Sequence, residues 1–177
     1  MAITTPFDLL QVLDARWHKN SSGMPTSKPI VDDWVGIGFK INNIPLLAKM
    51  DEINEISPLP KTIRVPGVKS WVKGLANIRG SLMPVLDMKA YLFGTATEMH
   101  KNSRVLIVNQ MGLSAGLLVE EVFGMRRFKL EELGDEIAAG LGSIEDYLIG
   151  NFVDRVQMWN VFSVDKLVKT DQFVRVI

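Results

Sequence analysis

From Trp34 onward, apolar positions recur with a period of two. Val35, Ile37, Phe39 and Ile41 are separated by Gly36, Gly38 and Lys40, the pattern of a strand with one face on a core. Asn42-Asn43 supplies a turn, because asparagine tolerates the left-handed backbone of a tight hairpin, and the apolar pattern returns over residues 44–48. A short strand is expected over residues 52–56, ahead of Pro58 and Pro60. Residues 74–79 and 81–87 predict two more strands. Pro84 lacks a backbone donor, so it belongs at a strand edge or bulge.

The second half echoes the first. Residues 104–109 (RVLIVN), 113–119 and 122–128 read as strands, with a turn at Gln110-Met111-Gly112. A shift of 69 residues lays Ile37 on Leu106, Phe39 on Val108 and Ile53 on Val122. Later, LIGNFVDR and VQMWNVF echo residues 74–87 at a shift near 75. The pattern predicts a mainly all-β chain of ten short strands in two groups of five, with lobe 1 at about 34–92, lobe 2 at about 103–162, and an insertion around 138–146 in the second. Residues 6–19 show mostly helical spacing after Thr5-Pro6, and residues 20–29 read as a linker rich in serine, glycine and proline. Residues 1–33 are therefore expected to form an extension ahead of a domain at 34–177. At the other end, residues 163–174 predict a helix capped by Ser163, with Val164, Leu167 and Val168 on one face.

Composition narrows the function classes. The chain has 177 residues, 47% of them hydrophobic, with 20 Lys plus Arg balanced by 20 Asp plus Glu. No overall field draws it to nucleic acid or an anionic membrane. No apolar run approaches the ~20 residues that span a bilayer. The N-terminal stretch lacks a basic start followed by an apolar core, so no secretory signal is expected. With no cysteine, disulfides and thiolate metal sites are excluded, and a cytoplasmic location is expected.

Candidate sites are few. Arg79, in Asn77-Ile78-Arg79-Gly80, is expected to share one side of its strand with Asn77, opposite Ile78. It could meet a partner's carboxylate or carbonyls, or close an internal salt bridge. Gly74 and Gly80 suit bulge or turn positions. Glu55, flanked by Ile53 and Ile56, could rim an apolar docking patch or protect an edge strand. Lys61, Arg64, Lys69 and Lys73 form a basic run with only Trp71 as a nearby aromatic. A solvated face or salt-sensitive docking to an acidic surface fits that run better than nucleic-acid binding. Enzyme chemistry finds little support: His18 and His100 have no triad spacing, Gly140-Leu141-Gly142 lacks the setting of a phosphate loop, and Asp87 is placed to cap the segment after its strand. No cofactor, metal site or catalytic residue is expected.

The segment WVKGLANIRGSLMPVLDMKAYLFG, residues 71–94, resembles the signature of CheW-like domains, the coupling adaptors of bacterial chemosensory systems. The resemblance spans roughly residues 34–169. It implies two intertwined five-stranded SH3-like β-barrels that bridge a methyl-accepting chemoreceptor's cytoplasmic tip and the regulatory domain of a CheA-type histidine kinase. Glu55 and Arg79 match family positions implicated in partner binding, Ile53 and Gly74 flank that surface, Asn77 lies beside it, and Val122 would wall a groove between the lobes. The location implied is cytoplasmic, associated with receptor arrays and without membrane insertion. The chain departs from the shorter adaptors in its N-terminal extension and in Pro58-Leu59-Pro60. Its leader and signature wording are similar to the branch of the family that serves type IV pili and twitching motility. Two other readings stay open: a receptor-independent competitor for the kinase, and a small-ligand-binding β-barrel protein or enzyme using the inter-lobe cleft.

Overall fold

The computed structural model describes residues 33–174; the helix expected over residues 6–19 lies outside them. Ten strands form: β1 (Asp33–Ile41), β2 (Ile44–Lys49), β3 (Glu55–Pro58), β4 (Val72–Ile78), β5 (Ser81–Asp87), β6 (Arg104–Gln110), β7 (Leu113–Val119), β8 (Glu121–Lys129), β9 (Leu148–Val153) and β10 (Met158–Phe162). Three short helices accompany them, α1 (Met88–Phe93), α2 (Val164–Val168) and α3 (Asp171–Val174). Among the described residues no helix is long and apolar enough to cross a membrane.

The strands form two five-stranded sheets, ordered β8-β1-β2-β10-β9 and β3-β6-β7-β5-β4. The count and grouping by fives match the sequence pattern, but the consecutive partition near residues 91–103 does not. The β1–β2 hairpin joins strands from the second half, and the β6–β7 hairpin joins strands from the first. Each exchanged hairpin is held by a parallel seam, β2 to β10 and β7 to β5. Alternation tells which face of a strand is apolar but not which neighbour it pairs with.

The exchanged hairpins are buried on both faces. In β1, Phe39 and Ile41 enter the largest apolar cluster, while Trp34 on the other face enters a smaller one with Leu47, Phe152, Trp159 and Val161. Gly36 and Gly38 share the Trp34 face for a steric reason. A β-carbon on Gly36 would stand 2.4 Å from the Trp34 ring, and one on Gly38 would stand 3.1 Å from Trp159. The β6–β7 hairpin repeats the scheme. Leu106, Val108, Ala115 and Leu117 face the large cluster, and Val105, Ile107 and Leu118 face a third, with Ala76, Ile78, Met83 and Val85. Each sheet thus has its own small core, and a larger core lies between them. This is why RVLIV reads as a continuous apolar run rather than a clean alternation.

Turn chemistry sets the register. Asn42 and Asn43 both have positive φ, as do Arg79-Gly80 and Met111-Gly112. Each pair closes a two-residue hairpin, between Ile41 and Ile44, Ile78 and Ser81, and Gln110 and Leu113. Arg79 therefore leads a turn and does not continue the strand alternation begun by Asn77. Pro84 lies in a strand paired on both sides, yet at a place where no donor is required. Its partner Leu75 directs both backbone groups to Ile63, so the pair makes no hydrogen bonds of its own, and pairing with β7 begins only at Val85.

Two expected elements shift. Residues Met50–Glu52 form a 3-10 turn, and the Glu52 carboxylate at its end accepts the Asp165 N–H at 3.1 Å; the strand starts at Glu55. The terminal helix is capped by Ser163 as expected, its hydroxyl accepting from Lys166 N at 3.1 Å. It breaks before α3, and that break lets Phe173 bury itself and stack on Trp71 with ring centres 6.3 Å apart.

Because each sheet needs strands from both halves and shares the central core, the two should open together. Native-state hydrogen exchange on the slowest amides of β1, β2, β6 and β7 is expected to give a single opening free energy equal to the global value. Two separate plateaus, one per sheet, would contradict an interlocked frame.

Candidate functional site

The expected site residues do not all converge. Arg79 Nη2 lies 2.9 Å from Glu55 Oε1, joining the β4–β5 turn to β3 across a gap of 24 residues in sequence. The internal salt bridge is thus formed, and it leaves Arg79 79% exposed against 27% for Glu55. Asn77 sets the turn beneath them, its Oδ1 accepting the Gly80 N–H at 2.8 Å. An exposed pair of this kind stabilises a fold by about 0–1 kcal/mol. Its effect is positional: it holds a guanidinium that keeps further donors free.

The other residues sit apart from this tip. Ile53 is half-buried against the central core, as is Val122, and Val122 pairs with Phe39 in the opposite sheet. Gly74 lies at the far end of β4, at a bulge between Val72 and Gly74. Its φ is +138°, and a β-carbon there would stand 2.3 Å from the Ile63 carbonyl oxygen. The glycine lets the segment after β3 approach, so that Ile63 and Leu75 exchange two backbone hydrogen bonds of 2.8 and 2.9 Å. Gly150 repeats the device in the other sheet, with φ +152° and the Gly134 carbonyl 2.6 Å from its missing β-carbon. There Gly134 and Asn151 exchange two bonds of 2.9 Å.

Asp87 is occupied structurally. It caps α1 by accepting from Ala90 N, and it also accepts from the Thr97 backbone and hydroxyl at 2.9 and 2.6 Å while wholly buried. Lys73 approaches it at 3.6 Å.

Three features had no usable signal in sequence spacing. Lys89 pairs with Glu120 at 3.1 Å, largely out of solvent, and Lys40 pairs with Glu121 at 3.0 Å. With Glu98 and His100 they edge an open cavity of about 360 Å³. The Tyr91 and Tyr147 hydroxyls meet at 2.9 Å; burial, then the bond to Tyr147, pushes the Tyr91 phenol well above its ordinary range. The third is a clip on the β9–β10 hairpin. Asp154 accepts from Trp159 Nε1 at 2.7 Å and from the backbone of Val156 and Gln157 at 2.7 and 2.9 Å. The Trp159 bond, followed by the two backbone donors, holds its carboxyl below the ordinary value of 3.8.

Among the described residues no group of three or more His, Asp or Glu is placed to hold a metal ion.

Comparison with known proteins agrees with this architecture. The family model for the CheW-like domain matches residues 36–172. The chain is 36% identical to Protein PilI of Pseudomonas aeruginosa over 98% of this chain and 97% of that protein. It is 21% identical to the chemotaxis protein CheW of Klebsiella aerogenes over 88% and 95% of the two chains. The crystal structure of the scaffolding protein TtCheW from Thermoanaerobacter tengcongensis superposes with a TM-score of 0.67 at 19% identity, covering 78% of this chain and 94% of that one.

Gly74→Ala is expected to destabilise the fold in urea unfolding by about 1–3 kcal/mol through backbone strain and the carbonyl clash. Gly67→Ala, at positive φ with nothing within 4 Å, is expected to cost only about 1 kcal/mol. Equal losses would show that the approach of Ile63 is not what demands Gly74. For Asp154 the folded-state pKa is depressed, so its stabilisation is present above the unfolded value and is lost as pH falls through the folded one. Asp154→Asn should therefore be less stable than the parent at neutral pH, with the gap closing below about pH 3.8. A gap that stays constant into acid would rule out the charge as its source.

Proposed function

We propose that this chain, which belongs to the CheW-like domain family, is a non-catalytic adaptor. In this reading it couples a methyl-accepting chemoreceptor to the regulatory domain of a CheA-type histidine kinase, in the cytoplasm at receptor arrays. The likeness to Protein PilI over nearly the whole of both chains supports placing it in the system that controls type IV pili and twitching motility. The observation that carries the reading is the Glu55–Arg79 pair, displayed on an exposed hairpin tip whose own strands are closed and packed.

The physical steps are modest. Arg79 offers a planar fork with unused donors to a partner's carboxylate or carbonyls. Glu55 fixes where that fork points, and Leu82, exposed across the hairpin from Asn77, supplies apolar contact beside it. Interfaces of this class need a small apolar patch with a charged rim. The frame contributes stiffness. A signal passes between two bound partners only if each binds one relative arrangement better than another, and the interlocked sheets hold that arrangement.

Arg79→Glu is expected to leave far-UV circular dichroism unchanged and to lower stability in urea by no more than about 1 kcal/mol, since Arg79 is 79% exposed. It should weaken assembly of the ternary complex with kinase and receptor fragment by about tenfold or more, equivalent to ~1.4 kcal/mol. Adding Glu55→Arg restores the pair in reverse and separates loss of the bridge from loss of the positive charge. Assembly at full strength by the single variant would sink the site assignment. Binding to kinase but never to the receptor tip would replace the coupler with a competitor for the kinase.

A further inference from the structure

Net charge over the chain is zero, yet residues 56–86 contain five cations, Lys61, Arg64, Lys69, Lys73 and Arg79, and no carboxylate. The fold gathers three of them. Arg64, Lys69 and Lys73 line one concavity of about 390 Å³ together with Thr62 and Ser70. Among the described residues, Arg64 and Lys69 have no carboxylate within ion-pairing distance. Lys73 has Asp87 at 3.6 Å, whose oxygens already accept from Ala90 and twice from Thr97. Asp87 offsets Lys73, so the uncompensated positive charge facing the concavity is that of Arg64 and Lys69, and a cleft lined by one sign of charge concentrates counter-ions.

The walls are anchored. Ile63 is tied to Leu75 by two backbone hydrogen bonds, and Val72 N donates to Lys69 O at 3.0 Å. Trp71, between Ser70 and Val72, is buried in the central core. A concavity held in this way loses little conformational freedom when a ligand arrives.

We propose that this concavity binds a phosphate group. Two unpaired cations, a third paired to Asp87 and two hydroxyl-bearing residues on one lining suit a compact multiply charged oxyanion, with Arg64 able to bond two of its oxygens at once and the lysines acting as point charges. The volume lies at the low end of ligand pockets, about 300–1,000 Å³, so a small phosphate ester or a single lipid headgroup fits. An acidic helix or strand would ask instead for cations spread along a line. Lys73 and Ile78 stand five residues apart along β4, or ~17 Å at the rise of an extended strand, and Arg79 lies beyond Ile78 in the turn. The concavity is thus separate from the Glu55–Arg79 tip, and the two assignments stand or fall independently.

The test is an amide NMR titration of the full chain with inorganic phosphate and with pyrophosphate, at fixed ionic strength made up with sodium chloride so that screening is constant. Saturable shifts confined to residues 62–73 are expected, with pyrophosphate binding more tightly. The double variant Arg64→Gln/Lys69→Gln should keep its spectrum elsewhere and weaken binding by about tenfold or more, the loss of charge-assisted bonds. A second arm uses phosphatidylglycerol vesicles against phosphatidylcholine vesicles. Binding to the former through the same residues assigns the phosphate to a lipid headgroup, and its absence alongside phosphate binding assigns a soluble ester. Non-saturable shifts, shifts equal to those produced by chloride alone, or binding of a polyglutamate peptide in place of phosphate would each overturn the proposal.

Discussion

The structure depends on strands that are buried on both faces. β1, β2, β6 and β7 each set one row of side chains into the core of their own sheet and the other row into the core between the sheets. Phe39, Leu46, Leu106 and Leu117 belong to the central core, and Trp34, Leu47, Val105 and Leu118 to the outer ones. Burying one such large side chain is worth about 1.5–3 kcal/mol, whereas the exposed Glu55–Arg79 pair contributes about 0–1. Apolar packing therefore holds the frame, and its surface charges are left available for recognition. Exchange of the two hairpins strengthens this division, because neither sheet can be completed by one half of the chain.

Much of this was legible in residues. The turn at Asn42-Asn43, the capping roles of Asp87 and Ser163, and the shift of 69 that lays Ile37 on Leu106 all have structural counterparts, since β1 and β6 hold matching places in the two sheets. The later echo at a shift near 75 also has a physical basis. Gly74 and Gly150 both sit at positive φ and admit the backbone of a preceding segment, which hydrogen-bonds to the next residue of the strand. What alternation could not express was neighbour choice. An apolar stripe fixes which way a strand faces, and the consecutive partition it suggests was overruled by parallel seams between distant strands. Intertwining was implied by family resemblance and had no signature in the periodicity itself.

The site was less legible, for a related reason. Glu55 and Arg79, like Lys89 and Glu120, are brought together by tertiary packing across long sequence separations. Asn77-Ile78-Arg79 alternates as a strand does, and that pattern carries Arg79 with it. Its positive φ shows that the turn begins one residue earlier than the polar pattern suggests. Gly36 and Gly38 misled in the opposite sense, since glycine on an alternating strand carries no sign of burial. There it makes room for indole rings.

The two halves keep the same closure and differ at their tips. The β4–β5 hairpin ends in a two-residue turn set by Asn77, with Arg79 paired to Glu55 and Leu82, opposite Asn77, as its exposed large apolar side chain. Its counterpart, β9–β10, ends in a longer turn clipped by Asp154, and displays Val153 and Met158 as a cross-strand pair with Val156 88% exposed. Apart from Asp154, which holds the buried Trp159 indole, substitution at these tips leaves the cores untouched, because the turn residues lie beyond the last buried positions, Ile78 in one hairpin and Phe152 in the other. A duplicated frame can therefore acquire two unlike surfaces at little cost in stability. The proposed coupling of two different partners rests on that condition, which assigns specificity to turn and edge side chains and rigidity to the strands.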